Sequence, residues 1–245
     1  MISVLRRELL AFFTSAAGYV LMAVFPVAMG LLALFVFPAV LERGASWFHT
    51  KELTMRSFFL AFPWVAAAVM PAIAMRSWAE EYRGNTFQLL LTLPAPSWRL
   101  VAGKYLASVA VLCLMLLTTG VFPVMIAANG GWEGGPIFGG YLGCLLLGSG
   151  YLAIGMFASS LTSNQLGAYM AALLACGTLT ALGSFAGLAG SSGALSSMVR
   201  FMAAGDHFNL LAAGYLKLET VTFFISMAAF FLMLTALGVE GRRYR

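Results

Sequence analysis

Long apolar runs separated by short polar segments dominate the sequence. A helix needs about 20 apolar residues to cross the hydrocarbon of a membrane. Six runs come close to or exceed that length, over residues 18–40, 58–75, 100–128, 137–160, 166–188 and 220–239. The runs are continuous rather than alternating, which favours helices over a membrane barrel. We therefore predict an all-α membrane protein with six transmembrane helices, in a single domain that covers residues 1–245.

Two less hydrophobic segments predict helices that do not cross the membrane. Residues 1–15 combine leucine and phenylalanine with Arg6, Arg7 and Glu8, a spacing that suits an amino-terminal helix lying in the interface. Residues 190–219 carry several polar and charged side chains, and we predict an extracytoplasmic helical hairpin before the sixth span. If that segment crossed the membrane instead, the basic carboxyl end of the chain would face outward.

The densest group of charges lies in residues 75–94, between the second and third predicted spans. We call these residues the charged segment. It must lie at a membrane surface, because a charge at the bilayer centre costs roughly 2.5–3.5 kcal/mol. The pattern predicts two short helices broken at Gly84, where we expect a positive φ, and a stop at Pro94. A plain solvated connector is the alternative, but so structured a loop favours contact with a partner.

Composition and charge support a membrane class and a defined orientation. Hydrophobic residues make up 61% of the chain and charged residues 9%, whereas soluble proteins carry about 25% charged residues. With six spans, nine of the 14 lysine and arginine residues fall on the side of both termini and the charged segment. The positive-inside rule then predicts that both termini are cytoplasmic. Because the basic residues are scattered at helix ends, we expect membrane lipid and not nucleic acid as a partner.

The residues that usually carry chemistry do not form a recognisable site. The three cysteines lie within apolar runs, and the two histidines, His49 and His207, are far apart in sequence, so we predict no metal and no cofactor on this chain. No Walker A pattern is present. We therefore predict that the chain is not an enzyme. No acidic or basic residue lies clearly mid-span, which disfavours an ion-coupled secondary transporter.

Several motifs together resemble one family. The sequences PAIAMR at 71–76, AEE at 79–81, RGNT at 83–86 and LLLTLP at 89–94 resemble the coupling segment of type 2 ABC-transporter permeases, most closely the gliding-motility-like branch. Residues 103–105 and 159–165 resemble the start of the next helix and the link between the fourth and fifth spans. Two departures are Asn85, where the family often joins Gly directly to Thr, and Gln88, where it often has Glu.

The resemblance implies the transmembrane subunit of an ATP-driven transporter in the bacterial inner membrane. Such a subunit pairs with a second permease, a copy or a relative, and carries a cytosolic ABC ATPase that binds ATP and Mg²⁺. It exports a substrate or does mechanical work on an extracytoplasmic assembly, where an accessory protein is a further expected partner. The charged segment would be a cytosolic coupling helix, whose ATPase-coupling residues would be Arg76, Glu80, Glu81, Arg83, Gly84 and Thr86. The alternatives are an ATP-independent secondary transporter and a membrane anchor of a larger complex.

Two glycine pairs with GxxxG spacing mark candidate surfaces for close helix contact. They are Gly139 with Gly143 and Gly183 with Gly187. Small residues at this spacing let two membrane helices approach closely. They predict either a dimer surface or packing within the chain, and the spacing alone does not separate the two.

Overall fold

The computed structural model describes residues 2–33, 55–84, 97–128, 134–188 and 201–243, and every regular element in these ranges is a helix. The all-α prediction is therefore confirmed for the described ranges. The helices, numbered here in chain order, are α1 (Ile2–Thr14), α2 (Ala16–Leu31), α3 (Arg56–Ala74), α4 (Arg76–Arg83), α5 (Ser97–Thr118), α6 (Val121–Ala128), α7 (Gly134–Leu161), α8 (Gln165–Leu188), α9 (Ala204–Ala212) and α10 (Leu218–Arg243).

Five helical stretches in these ranges are long and apolar enough to cross a membrane. They are α3 with α4, α5 with α6, α7, α8 and α10. The bent pair α1 and α2 makes a sixth if it counts as one span, with 75° between the two axes. The chain is thus a multi-pass membrane protein with five or six candidate spans, close to the predicted six. Residues 34–40, the end of the first predicted span, lie outside the described residues.

Helix α7 forms the centre of the bundle and packs against α3, α4, α5, α8, α9 and α10. Its buried glycines explain how so many neighbours reach it, because small residues let helices approach closely in lipid. A Cβ atom on Gly155 would lie 2.6 Å from the Cβ of Ala74 on α3, and one on Gly148 would lie 2.8 Å from Leu112 on α5. By contrast, α8 and α10 leave many large apolar side chains exposed, among them Leu174 and Met233.

Opposite ends of the bundle hold different short helices. At one end α1 reaches α4 through an ion pair of 3.2 Å between Arg7 and Glu81, and Gly238 of α10 lies beside Ser160 of α7. At the other end α9 packs against the first turns of α7, near Gly139. In the segment where we predicted a hairpin, residues 201–219 are described and contain α9, whereas residues 190–200 lie outside the described ranges.

Candidate functional site

Helix α4 extends the second span beyond the length that a bilayer needs. Together α3 and α4 form a stretch of 28 residues, Arg56–Arg83, which is about 42 Å long at 1.5 Å per residue. The hydrocarbon core is about 30 Å thick. The excess is about 12 Å, which equals the length of α4. The first half of the charged segment is therefore a helix with room to project past the hydrocarbon.

The end of α4 differs from our expectation. Gly84 has φ −84° and ψ 0°, and its N–H donates to the carbonyl of Glu80 at 2.9 Å. The positive φ that we predicted there is wrong. The φ and ψ of Gly84 are values that residues other than glycine also adopt, and its N–H still makes the bond to residue i−4 that is typical of a helix. Thr86 and the second predicted helix of the charged segment lie outside the described residues.

A buried lysine joins α4 to two other helices. Lys104 of α5 is 3% exposed, and its Nζ lies 3.0 Å from Glu8 of α1 and 2.8 Å from Glu81 of α4. The same Nζ donates to the carbonyl of Ser77 at 2.8 Å. An ammonium has three donors, so these three oxygens satisfy it. Arg7 adds pairs of 2.9 Å to Glu8 and 3.2 Å to Glu81. We call Arg7, Glu8, Glu81 and Lys104 the charge cluster.

The charge cluster keeps Glu8 ionised despite partial burial. Burial alone would raise the pKa of this carboxyl, but attraction to Lys104 and hydrogen bonds from Arg7 and Lys104 outweigh it, so the pKa is lower than usual. Glu81 is also withdrawn from solvent, with 11% of its side chain exposed. It thus faces the bundle and not the surrounding water.

Ser159 of α7 fastens the first turn of α4. Its hydroxyl accepts from the backbone N–H groups of Trp78 and Ala79, each at 3.0 Å, and donates to the carbonyl of Met75 at 2.8 Å. The first four N–H groups of a helix lack partners within it, and the capping residue Met75 offers no side-chain bond. A serine from another helix therefore supplies the cap. Ser159 and Trp78 are fully buried.

The other predicted coupling residues of α4 face different surroundings. Arg76 and Glu80 are exposed and line a cleft of about 270 Å³ between α4, α1 and α5. Arg83 is exposed at the far end of α4, beside the α7–α8 link at Asn164. The structure thus places Glu81 in the charge cluster, whereas Arg83 lies away from that cluster.

The glycine pairs can be placed more fully for α7 than for α8. A Cβ on Gly139 would lie 2.5 Å from the Leu211 carbonyl, and one on Gly143 would lie 3.1 Å from the Leu211 side chain, so both glycines face α9 of the same chain. A Cβ on Gly183 would collide with the carboxylate of Asp206, also on α9. The surroundings of Gly187 lie outside what the structure describes.

The attachments of α4 are not evident from the sequence. Lys104 lies in a motif at the start of a predicted helix, and Ser159 lies at the link between two predicted spans. The signal for Lys104 was a lysine inside an apolar run, since such residues are usually paired.

Comparison with known proteins gives the family. Residues 16–187 match the family described as ABC-2 family transporter protein, which is more than half of the chain. No curated protein matches it. The match agrees with the apolar helices described above. The chain therefore belongs to the ABC-2 transporter family, whose members form the transmembrane component of ABC transporters.

Proposed function

We propose that this chain is a permease subunit that converts the movement of a separate cytosolic ABC ATPase into movement of its membrane helices. One observation carries the proposal. Helix α4 ends a helical stretch that is longer than the hydrocarbon thickness. Polar contacts join it to α1, α5 and α7, and those made by Lys104 and Ser159 are buried. A helix that merely connected two spans would not need three such attachments.

The proposed path of force begins at the exposed end of α4. The ATPase contacts Arg83 and Gly84, together with Thr86 further along, and pushes α4. Glu81 transmits the displacement to α5 through Lys104 and to α1 through Arg7. Ser159 transmits it to α7, the helix that contacts most of the bundle. Arg76 and Glu80 extend the contact surface along the outer face of α4.

The chain itself binds no nucleotide in this proposal, and ATP and Mg²⁺ belong to the ATPase. Both termini lie in the cytosol of a bacterium, with α1 in the interface of the inner membrane and α9 on the outer side. The contact of α1 with α4 and the place of Gly238 beside Ser160 support a common side for α1, α4 and the end of α10.

A second permease, a copy or a relative, completes the transporter. The broad apolar faces of α8 and α10 leave room for it, whereas Gly139 and Gly143 already pack against α9 within the chain. The complex exports a substrate or passes force to an extracytoplasmic assembly, as the resemblance to the gliding-motility-like branch implies.

The test is purification of the tagged chain from its native membrane in mild detergent, with every co-purifying protein identified. We expect a stoichiometric ATPase with a Walker motif. The Arg83→Glu variant should lose most of that ATPase, whereas Arg99→Glu, which inverts an exposed charge on α5, should retain it. If wild-type chain carries no ATPase even after gentle crosslinking, the proposal fails and an ATP-independent transporter becomes the better account.

A further inference from the structure

We propose that the cleft between α1, α4 and α5 binds one phospholipid with a zwitterionic headgroup, of the phosphatidylethanolamine class. The proposal does not depend on the ATPase. It requires only that the chain spans a membrane, with the charge cluster near the surface of the bilayer.

The cleft has the polarity gradient of a lipid. Its shallow end is lined by Arg76, Glu80 and Glu8, and its deeper end by Phe12, Ile73 and Val111. The direction of two helices fixes this order. Ile73 precedes Arg76 on the helix that emerges from the bilayer, and Val111 follows Lys104 by seven residues on the helix that enters it. A headgroup at the shallow end therefore directs its acyl chains toward the hydrocarbon.

The charges at the shallow end are complementary to a zwitterion. Arg76 and Glu80 are one helical turn apart, and within the described residues neither side chain has an ion pair or a hydrogen bond to another side chain. Arg76 can hold the lipid phosphate through its guanidinium. Glu80 can accept hydrogen bonds from a primary ammonium.

Charge balance argues against an anionic lipid. The charge cluster contains two acidic and two basic residues, and the Nζ of Lys104 already lies within 3.0 Å of three oxygens. Arg76 and Glu80 add one charge of each sign. Among the described residues that line the cleft, a headgroup with a net negative charge would thus find Arg76 as a cation without an ion pair, with the carboxylate of Glu80 beside it. A headgroup that carries both signs matches both groups.

The size of the cleft suits a headgroup and not a whole lipid. Its volume is about 270 Å³, near the lower end of the roughly 300–1,000 Å³ that is usual for small-molecule sites. The acyl chains would therefore lie largely outside it, against the exposed apolar surface of the bundle. Phe12 and Ile73, both half-buried, mark the exit of the cleft.

The experiment titrates the purified, delipidated chain with three lipids of identical acyl chains, namely phosphatidylethanolamine, phosphatidylcholine and phosphatidylglycerol, and counts bound lipids by native mass spectrometry. We expect one saturable site that prefers phosphatidylethanolamine by about tenfold over phosphatidylcholine, because a quaternary ammonium cannot donate a hydrogen bond to Glu80. Phosphatidylglycerol should also bind more weakly. The soluble headgroup phosphoethanolamine should bind far more weakly than the lipid, since it has no apolar part.

Two variants locate the site. Glu80→Gln should abolish the preference, because it removes the carboxylate that accepts from the ammonium. Arg76→Ala should weaken the binding of all three lipids, because each of them carries the phosphate. Both variants should keep a monodisperse elution profile and an unchanged unfolding temperature. Arg83→Ala, on the same helix but outside the cleft, should keep the preference. Equal binding of the three lipids by the wild-type chain would overturn the proposal. A preference that survives Glu80→Gln, or unchanged lipid binding in Arg76→Ala, would overturn it as well. If phosphoethanolamine bound the chain as tightly as the whole lipid does, the cleft would instead be a site for free phosphate compounds.

Discussion

Replacing Lys104 by methionine should destabilise the protein by leaving two carboxylates that face each other. Methionine keeps much of the length of the side chain but removes the ammonium that holds Glu8 and Glu81 together. The two carboxylate oxygens lie within 3.0 Å of Nζ, at 3.0 and 2.8 Å. They are therefore at most about 6 Å apart.

The magnitude follows from this separation. Two like charges about 6 Å apart repel by about 3 kcal/mol at an effective dielectric constant near 20. Arg7 contacts both carboxylates and offsets part of the repulsion, but its side chain is 56% exposed, so the partial screening by water weakens its effect. We therefore expect a loss of about 2–3 kcal/mol, below the roughly 3–5 kcal/mol for breaking a fully buried pair. For a chain of this size that is about 5–10 °C in unfolding temperature.

A thiol-reactive dye can report the unfolding. Cys144 and Cys176 are buried, and Cys113 is partly exposed. In a Cys113→Ala background the dye would react when the bundle opens. Arg99→Met is the matched control, because it removes an exposed cation from the same helix and should change the unfolding temperature little.

The double variant of Lys104→Met with Glu81→Gln distinguishes repulsion from a mere loss of packing. Removing one of the two negative charges should recover most of the lost stability. The reasoning is refuted if Lys104→Met unfolds at the wild-type temperature. It is also refuted if adding Glu81→Gln lowers the unfolding temperature further.

Three other predictions use the same purified protein. Ser159→Ala should lower the free energy of unfolding by about 1–3 kcal/mol, because it leaves buried polar groups in the first turn of α4 unsatisfied. Ser160→Ala should cost less, because the hydroxyl of Ser160 bonds within its own helix at 2.7 Å. Equal losses in thermal unfolding would contradict the capping role of Ser159. Gly139→Ala should destabilise the protein by about 1–3 kcal/mol through overpacking. Gly177→Ala should be neutral or slightly stabilising, because a Cβ atom at position 177 would have no neighbour within 4 Å. The reverse order of stabilities would argue against the packing of α7 on α9. The folded state lowers the pKa of Glu8, so the ionised Glu8 stabilises the fold fully above its ordinary pKa of 4.5, and this stabilisation is lost as the pH falls through the lower folded pKa. The stability of the wild type should therefore fall more steeply in acid than that of Glu8→Gln. Identical acid-unfolding curves would contradict this.

The spans could be predicted from sequence because their signal is local. A run of about 20 apolar residues has few structural solutions in lipid. Helix α7 was predicted over residues 137–160 and extends over Gly134–Leu161, and α10 was predicted over residues 220–239 and extends over Leu218–Arg243. Most of the added residues are glycine, proline or charged, which a hydrophobic pattern does not include.

The attachments of α4 could not be predicted, because they join residues far apart in the chain. Lys104 lies 96 residues from Glu8, and Ser159 lies 81 residues from Trp78. No periodicity within one helix indicates such pairs. The predicted conformation of Gly84 is wrong as well. A glycine after a charged turn is typical of a left-handed helix end, but Gly84 keeps a negative φ and still donates to the carbonyl of Glu80.

Site-specific photo-crosslinking in the native membrane would show directly whether α4 contacts an ATPase. A photoreactive residue at Arg83 would mark the exposed end of α4, and one at Leu216, 54% exposed before α10, would serve as the control at the other end of the bundle. We predict that position 83 crosslinks to a Walker-motif ATPase and that position 216 does not. Absence of an ATPase at position 83, together with its presence at position 216, would contradict the assignment of α4 as the coupling helix.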